Sequence, residues 1–197
     1  MTVITDAAGL DLARFLRPGD RIVMGQACGE PTTLVEALIA QGRGIGGLSA
    51  FIATSFSGLF TPETTASFAL SSMGAIGALR GMTRAGKLAV IPAHVSQIGP
   101  MITAGIIGCD VAFIQVSPAD ESGNHSCGLI SDHVRAAVDR ARVVIAEVNE
   151  QVPHTPGETI PAASIDVAVH VSRAPVEVPT GRISETDQAI ARHCAAY

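Results

Sequence analysis

The sequence predicts an α/β fold: an open, mostly parallel sheet flanked by helices. Three observations carry that prediction. Short apolar runs alternate along the chain with amphipathic helical patterns, the order of repeated strand–helix crossovers. The runs at Val111–Val116 and Val143–Val148, the second interrupted only by Glu147, lack the polar alternation of a half-exposed strand, so they belong in a sheet covered on both faces. The composition agrees. Of 197 residues, 47% are hydrophobic but only 4% are aromatic, which leaves Val, Ile, Leu and Ala to fill the core. That length suits one domain over residues 1–197.

Taken in order, residues 5–16 predict an opening helix, with Leu10, Leu12, Ala13 and Leu16 mostly on one side. Pro18-Gly19-Asp20 is a turn, and Arg21 to Gly25 is a short strand. The turn Gly25-Gln26-Ala27-Cys28-Gly29-Glu30-Pro31 feeds a helix over Thr32–Gln41, with Pro31 at the first helical position, where a missing N–H costs nothing. Gly42–Gly47 reads as a flexible break before a strand at Leu48–Ala53, and Thr54–Gly58 as the loop at its end. A strand at Ala66–Leu70, the loop Ser72-Met73-Gly74 and a helix at 75–85 follow. Leu88–Ile91 is a strand ending at Pro92, and a helix near 97–106 comes next.

The unit from Asp110 to Asn149 is the most informative. Its first strand stops at Ser117-Pro118, because proline cannot continue a ladder. A small, polar loop with turn points at Gly123 and Gly128 leads to Asp132, placed to cap the next helix. That helix sets Val134, Ala137, Val138 and Ala141 on one face. Beyond it, Ile165–Val171 alternates like a less buried strand, and Ser184 with Asp187 forms a capping-box pattern opening a last helix from 185. Glu147 inside an apolar strand needs a partner; Arg140 or Arg142 is expected to pair with it. Glu30 is expected at the surface.

Charge and cysteine usage exclude several classes. With a net charge of −5, and Lys87 as the sole lysine, there is no basic patch for nucleic acid. Cys28, Cys109, Cys127 and Cys194 are scattered, without a C-x-x-C pair or matching histidines, so no metal site is expected. The opening residues lack a basic n-region and an apolar h-region. No segment reaches the roughly 18 uninterrupted apolar residues of a membrane span. A soluble, cytoplasmic protein with reduced thiols is the expectation.

Two nucleotide-binding patterns fail on context. Gly42-Arg-Gly44-Ile-Gly-Gly47 satisfies G-x-G-x-x-G but follows a helix and precedes a strand, the reverse of a dinucleotide turn. Gly81–Lys87 matches most of a P-loop, yet Leu88 stands where the Mg²⁺-binding hydroxyl belongs. No G-x-S-x-G elbow occurs. The loops at strand ends remain: Gly25–Pro31, Ser55–Gly58, Ser72–Gly74, and His94-Val-Ser96-Gln97. Each also has a plainly structural reading, as a glycine-requiring turn or a helix cap.

The wording of the central unit adds a family. SPADESGNHSCG, followed after the helix by VVIAEVNEQVPHTPGE, resembles the acetyl-CoA hydrolase/transferase family, a branch of class I coenzyme A transferases. There a phrase like QVSPPDEHGYCSLG precedes one like IVIAEVNxxMPRTxGD. Pro92-Ala-His94-Val-Ser96-Gln97-Ile-Gly99 is similar to the family's P-x-H-x-S-E-x-P, with Gln97 and Gly99 as departures; the amide keeps hydrogen bonding but loses charge. The resemblance implies the coenzyme A transferase (NagB/RpiA-like) half-fold and covers the first half of the family pattern. It implies covalent catalysis by a glutamate supplied by a second domain or subunit, so no catalytic residue is expected in this chain.

The substrates implied are an acyl-CoA and a small carboxylate, with coenzyme A as thioester substrate and no separate cofactor. A homo- or hetero-oligomer is implied as well. Candidate substrate-binding residues are Gly25, Gln26, Gly29, Pro31, Ser55, Ser57, Ser72, Gly74, His94, Ser96 and Gln97. Two other classes stay open: a non-catalytic acyl-CoA-binding module, and another enzyme on a related fold such as a sugar-phosphate isomerase.

Overall fold

The computed structural model of the chain describes residues 2–4 and 7–196. An eight-stranded sheet forms its centre. In chain order the strands are β1 (Thr2–Ile4), β2 (Arg21–Met24), β3 (Ser49–Phe51), β4 (Ala69–Ser72), β5 (Ala89–Val90), β6 (Val111–Val116), β7 (Asn124–Ser126), β8 (Val143–Asn149), β9 (Thr159–Pro161) and β10 (Val167–Val171). The sheet order is β1-β10-β8-β6-β2-β3-β4-β5, and every pairing in it is parallel. β7 and β9 pair antiparallel in a small separate ribbon. The helices are α1 (Thr32–Ile45), α2 (Leu79–Arg84), α3 (Val95–Thr103), α4 (Val134–Arg140) and α5 (Glu185–Cys194).

The two sheet faces bury separate cores. On one, Ile22, Met24, Leu70, Phe113, Ile145 and Val169 meet Leu34 and Leu38 of α1 and Leu79 and Met82 of α2. On the other, Val23, Phe51, Ile114, Val144 and Ala146 meet Ile98 and Ile102 of α3 and Val134 and Val138 of α4. Burial on both faces explains why β6 and β8 are nearly continuously apolar. The Arg21 guanidinium grips Asp110 at 2.7 and 2.9 Å, tying the start of β2 to the residue before β6. That contact holds the Asp110 carboxyl down at about 2.

Several expectations are corrected. The opening segment is not one helix. β1 joins the sheet edge beside β10, and two 3-10 turns follow at Ala7–Gly9 and Leu12–Arg14; residues 5 and 6 lie outside the described residues. The Gln41 side chain intervenes, accepting the Leu12 N–H at 2.8 Å and donating to the Leu10 carbonyl at 2.8 Å. These groups are then unavailable to a continuous helix. α1 runs on to Ile45, so Gly42–Ile45 is helical rather than a break, and Gly46 and Gly47 end it at positive φ. β4 begins at Ala69 because the Thr64 and Thr65 hydroxyls donate to the Leu59 and Thr61 carbonyls and hold the preceding residues in turns. At α5 the expected capping box is present: Ser184 Oγ accepts the Asp187 N–H, and Asp187 accepts the Ser184 N–H.

Among the described residues no helix is long and apolar enough to cross a membrane. Phe113 is fully buried at the centre of β6. Phe113→Ala is expected to cost about 3–5 kcal/mol, from lost burial and the residual cavity. A shifted urea midpoint with an unchanged m-value would register it.

Candidate functional site

β2 pairs with β3 on one side and with β6 on the other. The chain therefore winds outward in both directions from the β2–β6 pair, and the crevice beyond their carboxyl ends is where ligands collect in open α/β sheets. The turn after β2 fills it. Gly25 donates to the Phe113 carbonyl at 2.9 Å. A Cβ on Gly25 would lie 2.5 Å from the Gly29 carbonyl oxygen, so the turn admits only glycine there. Ala27 takes φ +50 and donates to the Thr54 carbonyl at 2.9 Å, joining this turn to the loop after β3.

Buried polar groups organise the crevice. Glu30, expected at the surface, is instead fully buried; Ser55 Oγ and Ser57 Oγ donate to its two oxygens at 2.8 and 2.5 Å. Burial pushes this carboxyl above the usual range, and the two hydroxyls only partly offset it. The correction has a physical reason: Pro31 and α1 turn the chain inward directly after the turn, carrying Glu30 under the β3 loop.

Glu147 is also fully buried, and neither Arg140 nor Arg142 reaches it. Arg142 bonds Asp20 instead, at 2.7 Å. One Glu147 oxygen accepts the Thr33 N–H at 2.7 Å, at the N-terminus of α1, and the other has no hydrogen-bond partner. Burial raises its pKa, with Thr33 and the charge of Arg173 as lesser opposing effects.

A second relay crosses the strand ends. Gln115 sits beside Glu147 in register; its amide donates to the Cys28 carbonyl at 3.1 Å and accepts from Asn149 at 3.2 Å. Asn149 holds the backbone of Arg173, whose guanidinium reaches Glu36 at 3.0 and 3.1 Å. On the other flank Gln26 donates to the Asp132 carboxylate. Asp132 thus does not cap α4. Its other oxygen lies 2.9 Å from His133 Nδ1, while His133 Nε2 meets the Met24 carbonyl at 2.9 Å. Burial would raise the Asp132 pKa, but contact with His133 and Gln26 outweighs it and the carboxyl lies low.

The structure sets the four candidate loops side by side at the ends of β2, β3, β4 and β5. They differ in exposure. Gly25, Gln26, Gly29, Pro31, Ser55 and Ser72 are buried; Ser57 and Gly74 are half-buried; His94, Ser96 and Gln97 are exposed. Pro31 stands at the N-cap of α1, one position ahead of its expected place. The Ser72 hydroxyl is engaged by the Ala53 and Gly74 carbonyls, both at 2.9 Å. Gln97 Oε1 accepts the His94 N–H at 3.0 Å, which uses the departing amide as half of a helix cap. No hydrogen bond joins the 94–97 group to the other three loops among the described residues.

The buried thiols Cys109 and Cys127 are pushed up to about 12 and about 11 by burial, which keeps them protonated. No group of three metal-ligating side chains occurs among the described residues.

Residues 8–179 match the family profile of the acetyl-CoA hydrolase/transferase N-terminal domain. The chain belongs to this family. A 4-hydroxybutyrate coenzyme A transferase from Clostridium kluyveri is 30% identical over 179 residues, which is 89% of this chain and 42% of that protein. RipA from Yersinia pestis superposes with a TM-score of 0.87 at 24% identity, covering 99% of this chain and 48% of its own. A 4-hydroxybutyrate CoA-transferase from Porphyromonas gingivalis gives 0.73 at 24% identity, with 99% and 45% covered. The chain thus spans under half the length of these relatives. A decarboxylase, AibA/AibB, shares the fold alone, at TM-score 0.59 and 18% identity, with 92% of that chain covered.

Of the buried polar groups at the crevice that went unrecognised in the sequence, Gln115 did leave a trace. Gln115 is the one polar residue of Val111–Val116, as Glu147 is of Val143–Val148, and the two are register partners. The raised carboxyls set a pH dependence. Each contributes stability that is fully present below its unfolded pKa and lost as pH rises through the folded value. Glu147→Gln is therefore expected to gain in Tm over the parent between pH 5 and pH 8. A Tm difference flat across that range would show a carboxyl titrating normally.

Proposed function

We propose that this chain forms one wall of the substrate cleft of an acyl-CoA:carboxylate CoA-transferase or acetyl-CoA hydrolase, completed by a second domain or subunit that supplies the nucleophilic glutamate. The observation that carries the reading is the match to the family's N-terminal domain by a chain spanning under half of its relatives. The buried carboxyls support it from another side. A nucleophile must meet the thioester, whereas Glu30 and Glu147 are sealed from solvent and held by Ser55, Ser57 and Thr33.

In the proposed reaction the glutamate carboxylate attacks the acyl thioester and releases coenzyme A thiolate, leaving an acyl-glutamyl anhydride. The thiolate then attacks the glutamyl carbonyl, freeing the first acid and forming a glutamyl thioester. An acceptor carboxylate, or water in a hydrolase, resolves it. This chain's part is positioning and charge stabilisation. The half-buried Ser57 and Gly74 and the exposed His94, Ser96 and Gln97 face the carboxylate side, and the buried Gly25–Pro31 turn holds them in place. Acyl-CoA and a small carboxylate are the proposed ligands, and the assembly is a homo- or hetero-oligomer.

Mixed with a chain carrying the glutamate domain, the protein is expected to restore CoA exchange between acetyl-CoA and a labelled carboxylate, while alone it gives none. A mixture that forms a complex yet stays inactive beside an active full-length relative would overturn the reading. Exchange by the isolated chain at an enzymatic rate would do so too.

A further inference from the structure

Residues 64–109 contain no aspartate or glutamate, although the chain has 18 acidic residues and a net charge of −5. Within that stretch Arg80, Arg84 and Lys87 recur at i, i+4 and i+7, which sets them on one side of α2 and the turn after it. All three are exposed. The stripe, rather than any one of its side chains, is the feature: three like charges border an open edge of the sheet.

β5 is the last strand on that edge. The Ile91 N–H bonds the Ser72 carbonyl at 2.8 Å, and in a parallel ladder alternate residues face the neighbouring strand. The Val90 N–H and carbonyl therefore point away from β4, and the side chain leaves 45% of its surface exposed. Such an edge takes a further strand. Two copies of the basic stripe repel, so edge does not meet edge; the strand that fits is an acidic one.

The chain carries that complement itself. Arg173 is fastened to Glu36 at 3.0 and 3.1 Å, but residues 174–183 beyond it belong to no helix or strand and make no hydrogen bond among the described residues. Val176-Glu177-Val178 in this arm alternates like a strand, and Val178 and Ile183 expose 55% and 71% of their surface. From Ala174 to Asp187 the acids Glu177, Glu185 and Asp187 face a single base, Arg182. Cavities of about 290 and 720 Å³ separate the arm from the loops after β3 and β4, so it is not packed against its own body. Fully extended, residues 174–183 reach up to about 33 Å, far enough to cross to a neighbour.

We propose that the arm of one copy adds as a strand to the β5 edge of a second copy, whose own arm returns to the first, closing a two-fold pair. Alternation puts Glu177 on the α2 side, against Arg84 and Lys87, and Val176 and Val178 on the other, alongside Ile91. Main-chain bonds to Val90 hold the strand, and charge selects which strand it is. The contact is independent of the transferase reading, because it uses none of the residues assigned to the cleft.

Sedimentation velocity of the full chain over about 1 to 500 µM tests the proposal, with a monomer–dimer equilibrium of Kd on the order of 10 µM expected. Raising the salt to about 0.5 M should weaken it roughly tenfold. Glu177→Lys alone, or Arg84→Glu together with Lys87→Glu, should each weaken pairing at least about tenfold. Mixing these two charge-reversed proteins should restore a 1:1 pair, since each arm then meets an edge of opposite sign. Val90→Pro removes an outward N–H and no bond to β4, so the fold is kept while pairing is lost. Ile190→Asp, on α5 and outside the contact, should change nothing. A monomer across the whole range overturns the proposal. A dimer that survives both Glu177→Lys and Val90→Pro, or that Ile190→Asp disrupts, uses another surface and overturns it as well. Charge-reversed proteins that stay apart when mixed have the same meaning.

Discussion

β2 hydrogen-bonds β3 on one side and β6 on the other, and the chain leaves these neighbours in opposite directions. At that divergence no crossover covers the strand ends, so the backbone of the turn after β2 must find partners from several elements at once. It does. Phe113 of β6 takes the Gly25 N–H, Thr54 after β3 takes the Ala27 N–H, and Gln115 caps the Cys28 carbonyl. A buried turn satisfied from both flanks is rigid, and rigidity here fixes where α1 begins. It also fixes where Glu30 points.

Two fully buried carboxyls near one helix start are expensive, because charge is poorly solvated there. Both groups answer by rising in pKa under burial. Glu30 is a hydrogen-bonding bridge between two loops, and Glu147 is an acceptor for the first turn of α1. An apolar residue at either place would remove the cost, but it would also uncouple the β3 loop from the β2 turn or leave the Thr33 N–H buried alone. The polar links thus specify geometry more than they add stability. At a strand-end crevice that trade favours ligand positioning.

Much of the architecture was legible because it rests on local patterns. Proline and glycine marked the ends of β2 and β6, the apolar face of α4 followed helical spacing, and Ser184 with Asp187 announced α5. The failures share a cause in contacts distant in sequence. Gln41 dismantles the opening helix from 29 residues away, and Gln26 draws Asp132 off the α4 cap across 106. Glu30 read as exposed because nothing local says that Ser55 and Ser57 will lie over it. A cavity lined by Ile76 and Val178 was equally hidden, since its two walls are about a hundred residues apart in the chain. Only the fold brings Val178 to Ile76.

Both faces of the sheet are covered by helices of this chain, so the fold needs no second domain to bury its strands. The 92% coverage of the AibA/AibB decarboxylase chain shows the same architecture at nearly this size, and says nothing of its chemistry. The proposed function then concerns the strand-end edge. There the anchored loops and half-buried Ser57 lie, and the buried carboxyls Glu30 and Glu147 are held by fixed donors. In the proposed function an edge so equipped orients a carboxylate and a thioester, while the bond-making carboxylate comes from outside this chain.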